Sequence, residues 1–95
     1  MNAEPYTRIQ KEVLYLMDTR DDFLTVVTDP RGRCSVFCSS MVLDHAISPV
    51  WIAEQRDLGV LEAHSEMDIE GDNFVIFRIT EYGKKLMESL DEEEL

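Results

Sequence analysis

The chain has 95 residues, 44% of them hydrophobic, which suits one domain with a modest core and is too apolar for a disordered chain. Nine Lys and Arg stand against 20 Asp and Glu, so the net charge is −11. Such a body is repelled by nucleic-acid phosphates and by anionic membranes, and it attracts basic surfaces. Without a membrane-length apolar run or a secretory signal pattern, the sequence predicts a cytoplasmic protein.

The first half of the chain predicts a helix, a hairpin and a second, short helix. Apolar residues at spacings of three and four predict a helix over about 5–18, with Pro5 in its first turn. Two β-rich runs flank an Asp-Pro-Arg-Gly sequence at 29–32, which suits a type I turn, and together they predict a hairpin over 23–38. Serines at 39 and 40 can cap a short helix that continues to about residue 46.

The second half predicts a helix, a hairpin and a last helix. A Ser-Pro pair at 48–49 predicts a helix start, and Gly59 is placed to end that helix in a left-handed conformation. Extended runs at 60–69 and 74–79 are joined by turn residues, and Thr80 can cap the last helix.

Residues 48–90 resemble the winged helix-turn-helix family. The resemblance is carried by three pieces: Leu58-Gly59, Glu70-Gly71-Asp72-Asn73, and Thr80-Glu81-Tyr82-Gly83. It implies an α+β, winged-helix-like domain over 1–90, with short helices, a β-hairpin wing and an additional N-terminal hairpin. An acidic C-terminal tail at 91–95 follows.

By that resemblance, the helix that begins at residue 48 would be the recognition helix, which the family inserts into the DNA major groove. The bases nearest to such a role would lie on this helix and on the first hairpin. The resemblance implies Ser48, Gln55 and Arg56 as DNA-contacting residues, and a dimer could add Arg31 and Arg33 from another face. On this hypothesis the chain is a dimeric transcriptional regulator.

The charge of the same region favours a different function. Between residues 54 and 72 there are seven acids and one base, which gives 1 − 7 = −6. A charge 4 Å from a phosphate is worth about 1 kcal/mol even in water. Several acids would therefore outweigh the roughly 1–3 kcal/mol of one good base contact. Direct DNA binding by this face is disfavoured.

The leading hypothesis is thus a non-enzymatic protein-binding module that engages a basic surface, in its extreme form an inhibitor or DNA mimic of the phage anti-defence type. The predicted partner-binding residues are Trp51, Glu54, Asp57, Glu66, Asp68, Glu70 and Asp72. Trp51 has two interpretations, a core residue or an exposed anchor. A homodimer is also open, without a sequence feature that selects its interface.

No pattern predicts an enzyme, a metal site or a cofactor. Cys34, Cys38, His45 and His64 match no common zinc spacing, and nothing marks a nucleophile with an orienting partner. If the segment around 34–38 is a strand, both cysteines point to one face, which favours core packing. The four scattered glycines form no phosphate-binding loop.

Overall fold

The computed structural model describes residues 6–39, 41–44 and 46–94, and for residues 90–94 the backbone alone. The described part is an α+β domain with three helices and one five-stranded antiparallel sheet. In chain order the elements are α1 (Arg8–Thr19), β1 (Leu24–Thr28), β2 (Cys34–Cys38), β3 (Met41–Val42), α2 (Pro49–Asp57), β4 (Leu61–Ile69), β5 (Asp72–Ile79) and α3 (Glu81–Glu94). The α+β class predicted from the sequence is confirmed.

Helix α1 begins later than predicted, because Thr7 rather than the proline region caps it. The Thr7 hydroxyl accepts a hydrogen bond from the Gln10 N–H, and the Gln10 side chain accepts one from the Thr7 N–H. This capping box satisfies two of the open amides at the helix start. The predicted position of Pro5 in the first turn lies outside the described residues.

The hairpin β1–β2 follows the prediction closely. The Gly32 N–H donates to the Asp29 carbonyl at 2.9 Å, as a type I turn requires. The Asp29 side chain accepts the N–H groups of Arg31 and Arg33, both at 2.9 Å. The short Asp side chain thus replaces water as the acceptor for two turn amides.

The short helix predicted after the first hairpin is wrong for the described residues. Met41 and Val42 instead form β3, which pairs with β2. The Val36 N–H donates to the Asp44 side chain at 2.7 Å, and the Leu43 N–H donates to the Val36 carbonyl at 2.8 Å. Two strand residues and one carboxylate therefore cover polar groups of β2, which outweighs a weak local helix signal.

Helix α2 has both predicted ends. The Ser48 hydroxyl accepts from the Trp51 N–H at 3.1 Å, and Pro49 occupies the first helical position. At the other end Gly59 has φ +83°, and the N–H of Val60 reaches the Gln55 carbonyl at 2.9 Å. This is a Schellman ending, in which glycine takes the left-handed position.

The hairpin β4–β5 carries a bulge that the sequence did not reveal. The Cα pairing steps from Ala63 opposite Phe77 to Ser65 opposite Ile76, so His64 is an extra residue in β4. The tight turn at its tip places Glu70 and Gly71 at φ +53° and +89°. Both central turn residues are left-handed, which matches the twist of a two-residue hairpin.

The sheet order is β3-β2-β1-β5-β4, and the helices cover one face of it. The buried strand residues alternate along β1, β2 and β5 and share this helix-covered face. They pack with one side of each helix into a single core. The members from the strands are Leu24, Val26, Val36, Cys38, Leu61, Phe77 and Ile79.

Helix α3 begins at the predicted cap, where the Gly83 N–H donates to the Thr80 hydroxyl at 3.0 Å. It continues to Glu94, so the backbone of the acidic end is helical.

Candidate functional site

The acidic segment predicted as a binding surface spans α2, the outer half of β4 and the tip of the β4–β5 hairpin. Glu54 and Asp57 are exposed on α2, and Glu66 and Asp68 are exposed on β4. Glu70 is exposed in the turn and Asp72 is half-buried at the start of β5. The structure therefore brings β4 and the tip acids together on one hairpin, with the α2 acids on the helix that packs against β4.

An amide side chain fixes two of these carboxylates. The Asn73 Nδ2 donates to the Glu66 Oε2 at 2.9 Å and to the Asp68 Oδ1 at 3.0 Å. Glu66 and Asp68 are two positions apart in a strand, so their Cα atoms lie roughly 7 Å apart on one face. Because the Asn73 amide is uncharged, both carboxylates keep their formal negative charge.

The bulge at His64 decides which face the acids occupy. Glu62 pairs with Arg78, whose side chain points away from the helices, and the two form an exposed ion pair. If His64 were paired like its neighbours in a regular ladder, Glu66 and Asp68 would share that outward face with Glu62. With the bulge they pair with Val75 and Asn73, and so point to the helix-covered side.

Among the described residues, two of the seven acids in this segment have a basic partner. Asp57 lies 3.7 Å from Arg56, and Glu62 pairs with Arg78. Both pairs are exposed, so each contributes at most about 1 kcal/mol. In the part of the chain that the structure describes, the other five acids form no ion pair. They are Glu54, Glu66, Asp68, Glu70 and Asp72.

Two residues predicted on the outward face of α2 are buried instead. Trp51 is 7% exposed and packs edge-on against Tyr6, with ring centroids 6.1 Å apart. Its Nε1 finds no acceptor among the described residues. Gln55 is 4% exposed, and its side-chain oxygen accepts the Tyr6 hydroxyl at 2.7 Å. Trp51 is therefore a core residue in this structure, as the first of its two interpretations held.

The other residues considered for DNA contact are only partly available. Ser48 uses its hydroxyl to cap α2, and Arg56 is exposed beside Asp57. Arg31 and Arg33 are exposed in the β1–β2 turn. That turn is next to the acidic tip of the other hairpin, since a β-carbon on Gly71 would lie 3.3 Å from Pro30.

A groove of about 180 Å³ runs between α2 and the helix-covered face of the sheet, beside the two clamped carboxylates. Its lining is apolar apart from Arg56, and Val75 in its floor is the cross-strand partner of Glu66. The remaining lining residues are Val26, Pro49, Ile52, Ala53 and Phe77. Glu66 is thus next to the floor of an apolar groove that can take an aliphatic stem.

The cysteines and histidines do not assemble into a metal site in the described residues, where no group of three or more His, Cys, Asp or Glu is placed to hold an ion. Both cysteines lie on the helix-covered face, as expected for a strand. Cys38 is buried and Cys34 is exposed at the end of the sheet that the helices leave free. His64 stacks on Phe23 at 4.9 Å, and His45 lies outside the described residues.

Sequence reasoning missed one large feature, the apolar character of the sheet face that no helix covers. Seven hydrophobic side chains share this open face, and none of them is buried. They are Val27, Phe37, Val42, Met67, Ile69, Phe74 and Ile76. Strict alternation in β5 hinted at it, but the bulge in β4 hid the contribution of that strand.

Comparisons with known proteins give no family for the chain: no protein-family model matches it, and neither the curated proteins nor the solved structures contain a match. None of the helices in the described residues is long and apolar enough to cross a membrane. The site is therefore interpreted from its own geometry and charge.

Proposed function

We propose that the chain is a non-enzymatic protein-binding module whose acidic surface engages a basic site on another protein. The observation that carries the proposal is the pair of carboxylates at Glu66 and Asp68, held side by side by Asn73 with no base among the described residues to neutralise them. Glu54 and Asp57 on α2 and Glu70 in the hairpin turn add to this acidic surface, whereas Asp72 points to the open face of the sheet.

Pre-organisation makes this pair suited to binding. A flexible carboxylate loses side-chain freedom when it meets a partner, at a cost of about 0.5–1.5 kcal/mol for each immobilised side chain. Asn73 has already restricted Glu66 and Asp68, so less remains to be lost. A carboxylate pair is also a good acceptor for the forked guanidinium of Arg, which donates to two oxygens at once.

The groove beside the pair suits the rest of such a side chain. Lys and Arg bury their aliphatic stems on apolar surface while the charged end stays at a polar rim. Val75 and Ala53 line this apolar surface, and Glu66 is the cross-strand neighbour of Val75 on the same face of the sheet. The net charge of −11 adds long-range attraction, which raises the association rate with a basic partner.

We further propose that the domain is derived from a winged helix and no longer binds DNA. In support, α2 is followed directly by a two-stranded hairpin and then by α3, and β1 pairs with the second strand of that hairpin. The β3 segment stands where the preceding helix of a helix-turn-helix would be. A wing rich in acids then suits a protein that occupies a nucleic-acid-binding site as a DNA mimic.

Charge reversal at the clamped pair tests the binding function. Wild type and the variant Glu66→Lys/Asp68→Lys would be immobilised and used to capture basic proteins from an extract of the native host. The variant Glu12→Lys/Glu88→Lys is the matched control, because it changes the net charge equally on exposed faces of α1 and α3. Partners lost with the first variant and kept by the second support the proposal, whereas equal loss from both would overturn it.

Competition with DNA tests the mimic. A partner captured through Glu66 and Asp68 should be released by excess duplex DNA if the acids occupy its nucleic-acid site. Retention of the partner under saturating DNA would exclude mimicry while leaving protein binding intact.

The second candidate, a dimeric DNA-binding regulator, rests on Arg31 and Arg33 at the β1–β2 turn. Two observations weigh against it: Gln55 is buried, and the acids Glu70 and Asp72 stand beside the two arginines. We expect no retardation of random duplex DNA at low salt and micromolar protein. Retardation that disappears in Arg31→Ala/Arg33→Ala would establish the regulator instead.

A further inference from the structure

The open face of the sheet is an apolar surface that no described element covers. Val27, Phe74 and Met67 are direct cross-strand neighbours on β1, β5 and β4. Ile76 lies two residues further along β5 and Phe37 lies diagonally across on β2. The solvent face of an antiparallel sheet is usually polar, so a continuous apolar row of this kind indicates an interaction surface.

The bulge at His64 builds part of this surface. It shifts the alternation of β4, so that Met67 and Ile69 pair with Phe74 and Asp72 on the open side. Met67 and Ile69 are 43% and 49% exposed there. Two large apolar side chains that join the exposed row on β1 and β5 make a contiguous apolar patch, which is the kind of surface that is covered in a functional state.

We propose that the open face packs against the open face of a second copy of this chain, as a two-fold symmetric dimer. The charges on this face and its two bordering turns decide the occupant. This region carries three arginines and four acidic residues. They are Arg31, Arg33, Arg78, Asp29, Glu62, Glu70 and Asp72. The sum is 3 − 4 = −1, against −11 for the whole chain, so a second copy meets little repulsion at this face.

The arrangement of those charges is self-complementary. In the sheet order β3-β2-β1-β5-β4, β2 and β5 are the two neighbours of β1. A two-fold axis parallel to β1 therefore places β1 of one copy over β1 of the other, and β2 of each copy over β5 of the other. Thr28 of β1 is paired with Cys34 of β2 and with Asn73 of β5. Arg33 precedes Cys34 and Asp72 precedes Asn73, so the two residues lie at the same height along the strands. The β1–β2 turn of one copy therefore faces the acidic tip of the other, twice.

The competing ways to pair two copies are unfavourable. The other long free strand of the described sheet is β4 at its edge, and pairing β4 with β4 would set Glu66 and Asp68 of one copy against those of the other. The face proposed is roughly 20 Å wide and 17 Å long over its regular part. That footprint is at the small end of specific interfaces, so the dimer is expected to dissociate at micromolar concentrations.

Sedimentation of complementary charge variants tests the dimer without disturbing the core. Arg31→Glu/Arg33→Glu gives a chain with two acidic turns, and Glu70→Arg/Asp72→Arg gives one with two basic turns. Each alone should dimerise at least 10-fold more weakly than wild type, while an equimolar mixture should form a heterodimer. The chain with all four changes should regain the homodimer.

A second variant tests the apolar part of the interface. Phe74→Ser should weaken the dimer at least 10-fold, and Val50→Ser, at a 69% exposed site on α2, should leave it unchanged. A wild-type chain that stays monomeric into the hundred-micromolar range overturns the proposal. A dimer indifferent to Phe74→Ser and to both charge variants overturns it equally. The proposal does not depend on the basic partner, because Glu66 and Asp68 are unchanged throughout.

Discussion

Gly83 stands directly against the backbone carbonyl of Val60. A β-carbon on Gly83 would lie 2.5 Å from that oxygen and 2.7 Å from the Ile79 Cγ1 atom. The Thr80 N–H donates to the same carbonyl at 3.0 Å, and the Thr80 hydroxyl donates to the Gly59 carbonyl. The start of α3 is therefore fixed on the end of α2, and only glycine permits the approach.

Replacing Gly83 with alanine should destabilise the domain by about 3 kcal/mol, because both obstructing atoms belong to well-ordered neighbours and the backbone must shift. The measurement is urea unfolding followed by the fluorescence of Trp51, the only tryptophan. Gly32→Ala is the control, since Gly32 has φ +84° but nothing within 4 Å of an added β-carbon. That change should cost roughly 1–2 kcal/mol from backbone strain alone. Equal losses in the two variants would contradict the contact with Val60.

This relationship also explains why the second half of the chain could be predicted from its sequence. The Ser-Pro start of α2, the Leu-Gly end and the Thr-Glu-x-Gly start of α3 are local signals, and each depends on one cap or one φ value. These local signals do not predict that the end of α2 and the start of α3 are in contact. The contact between Gly83 and Val60 spans 23 positions, and no periodicity encodes it.

The segment after the first hairpin shows where local signals fail. Two serines followed by three apolar residues have the composition of a capped helix, yet Met41 and Val42 extend the sheet. Strand pairing is a tertiary effect, because it depends on an open edge at β2 and on Asp44 as an acceptor for Val36. The open edge of β2 and the position of the Val36 N–H are set by the fold, and residues 39–46 alone do not encode them.

The candidate site was predicted in composition and not in arrangement. The acids from 54 to 72 could be counted from the sequence. The assignment of Glu66 and Asp68 to the helix-covered face, however, requires knowledge of the bulge at His64. The winged-helix resemblance placed Gln55 on the outward face of α2, but its burial depends on a hydrogen bond with Tyr6 from the other end of the chain. A polar partner 49 positions away leaves no trace in helical spacing.

The buried hydrogen bond between Tyr6 and Gln55 should be costly to break. In Tyr6→Phe the Gln55 oxygen stays buried without its donor, which should lower the free energy of unfolding by about 1–3 kcal/mol. Tyr82→Phe is the matched control, because Tyr82 is 57% exposed and its change should stay within about 0.5 kcal/mol. Chemical denaturation of both variants gives the comparison. Indistinguishable midpoints would show that the bond contributes nothing net.

The hairpin tip offers a stabilising substitution. Glu70 has φ +53°, a left-handed conformation that is unfavourable for Glu and much better tolerated by Asn in an Asn-Gly turn. Glu70→Asn should therefore raise stability by roughly 0.5–1 kcal/mol, or a few degrees in Tm. Ser65→Asn, in the body of β4, should give no such gain. A Tm for Glu70→Asn at or below wild type would contradict the turn geometry.

Burial of Cys38 predicts both thiol reactivity and alkaline stability. Desolvation, with a smaller contribution from Asp22, raises the pKa of Cys38 from 9.0 to about 11. The folded state thus holds a proton that the unfolded state releases earlier. The stabilisation is complete below pH 9 and is lost as the pH rises towards 11.

Titration with a thiol reagent at pH 8 should modify Cys34 quickly and Cys38 only on unfolding, since Cys34 is exposed and Cys38 is buried. Denaturation between pH 8 and 11 should show stability falling with pH, and Cys38→Ala should show a shallower fall from a lower starting value. Two fast thiols in the native protein would contradict the burial of Cys38.

The extra residue in β4 gives the sharpest test of how the two surfaces are made. Deleting His64 removes the bulge but keeps the pairs on both sides of it, Ala63 with Phe77 and Ser65 with Ile76, so every later side chain of β4 keeps its face. The deletion should therefore retain self-association and capture of basic proteins, while circular dichroism still reports a folded α+β domain. Loss of either interaction in the deletion variant would contradict this pairing. His64→Ala is the control, because it loses the stacking on Phe23 but keeps the bulge. It should retain both interactions, and loss of both in His64→Ala would assign them to the ring and not to the register.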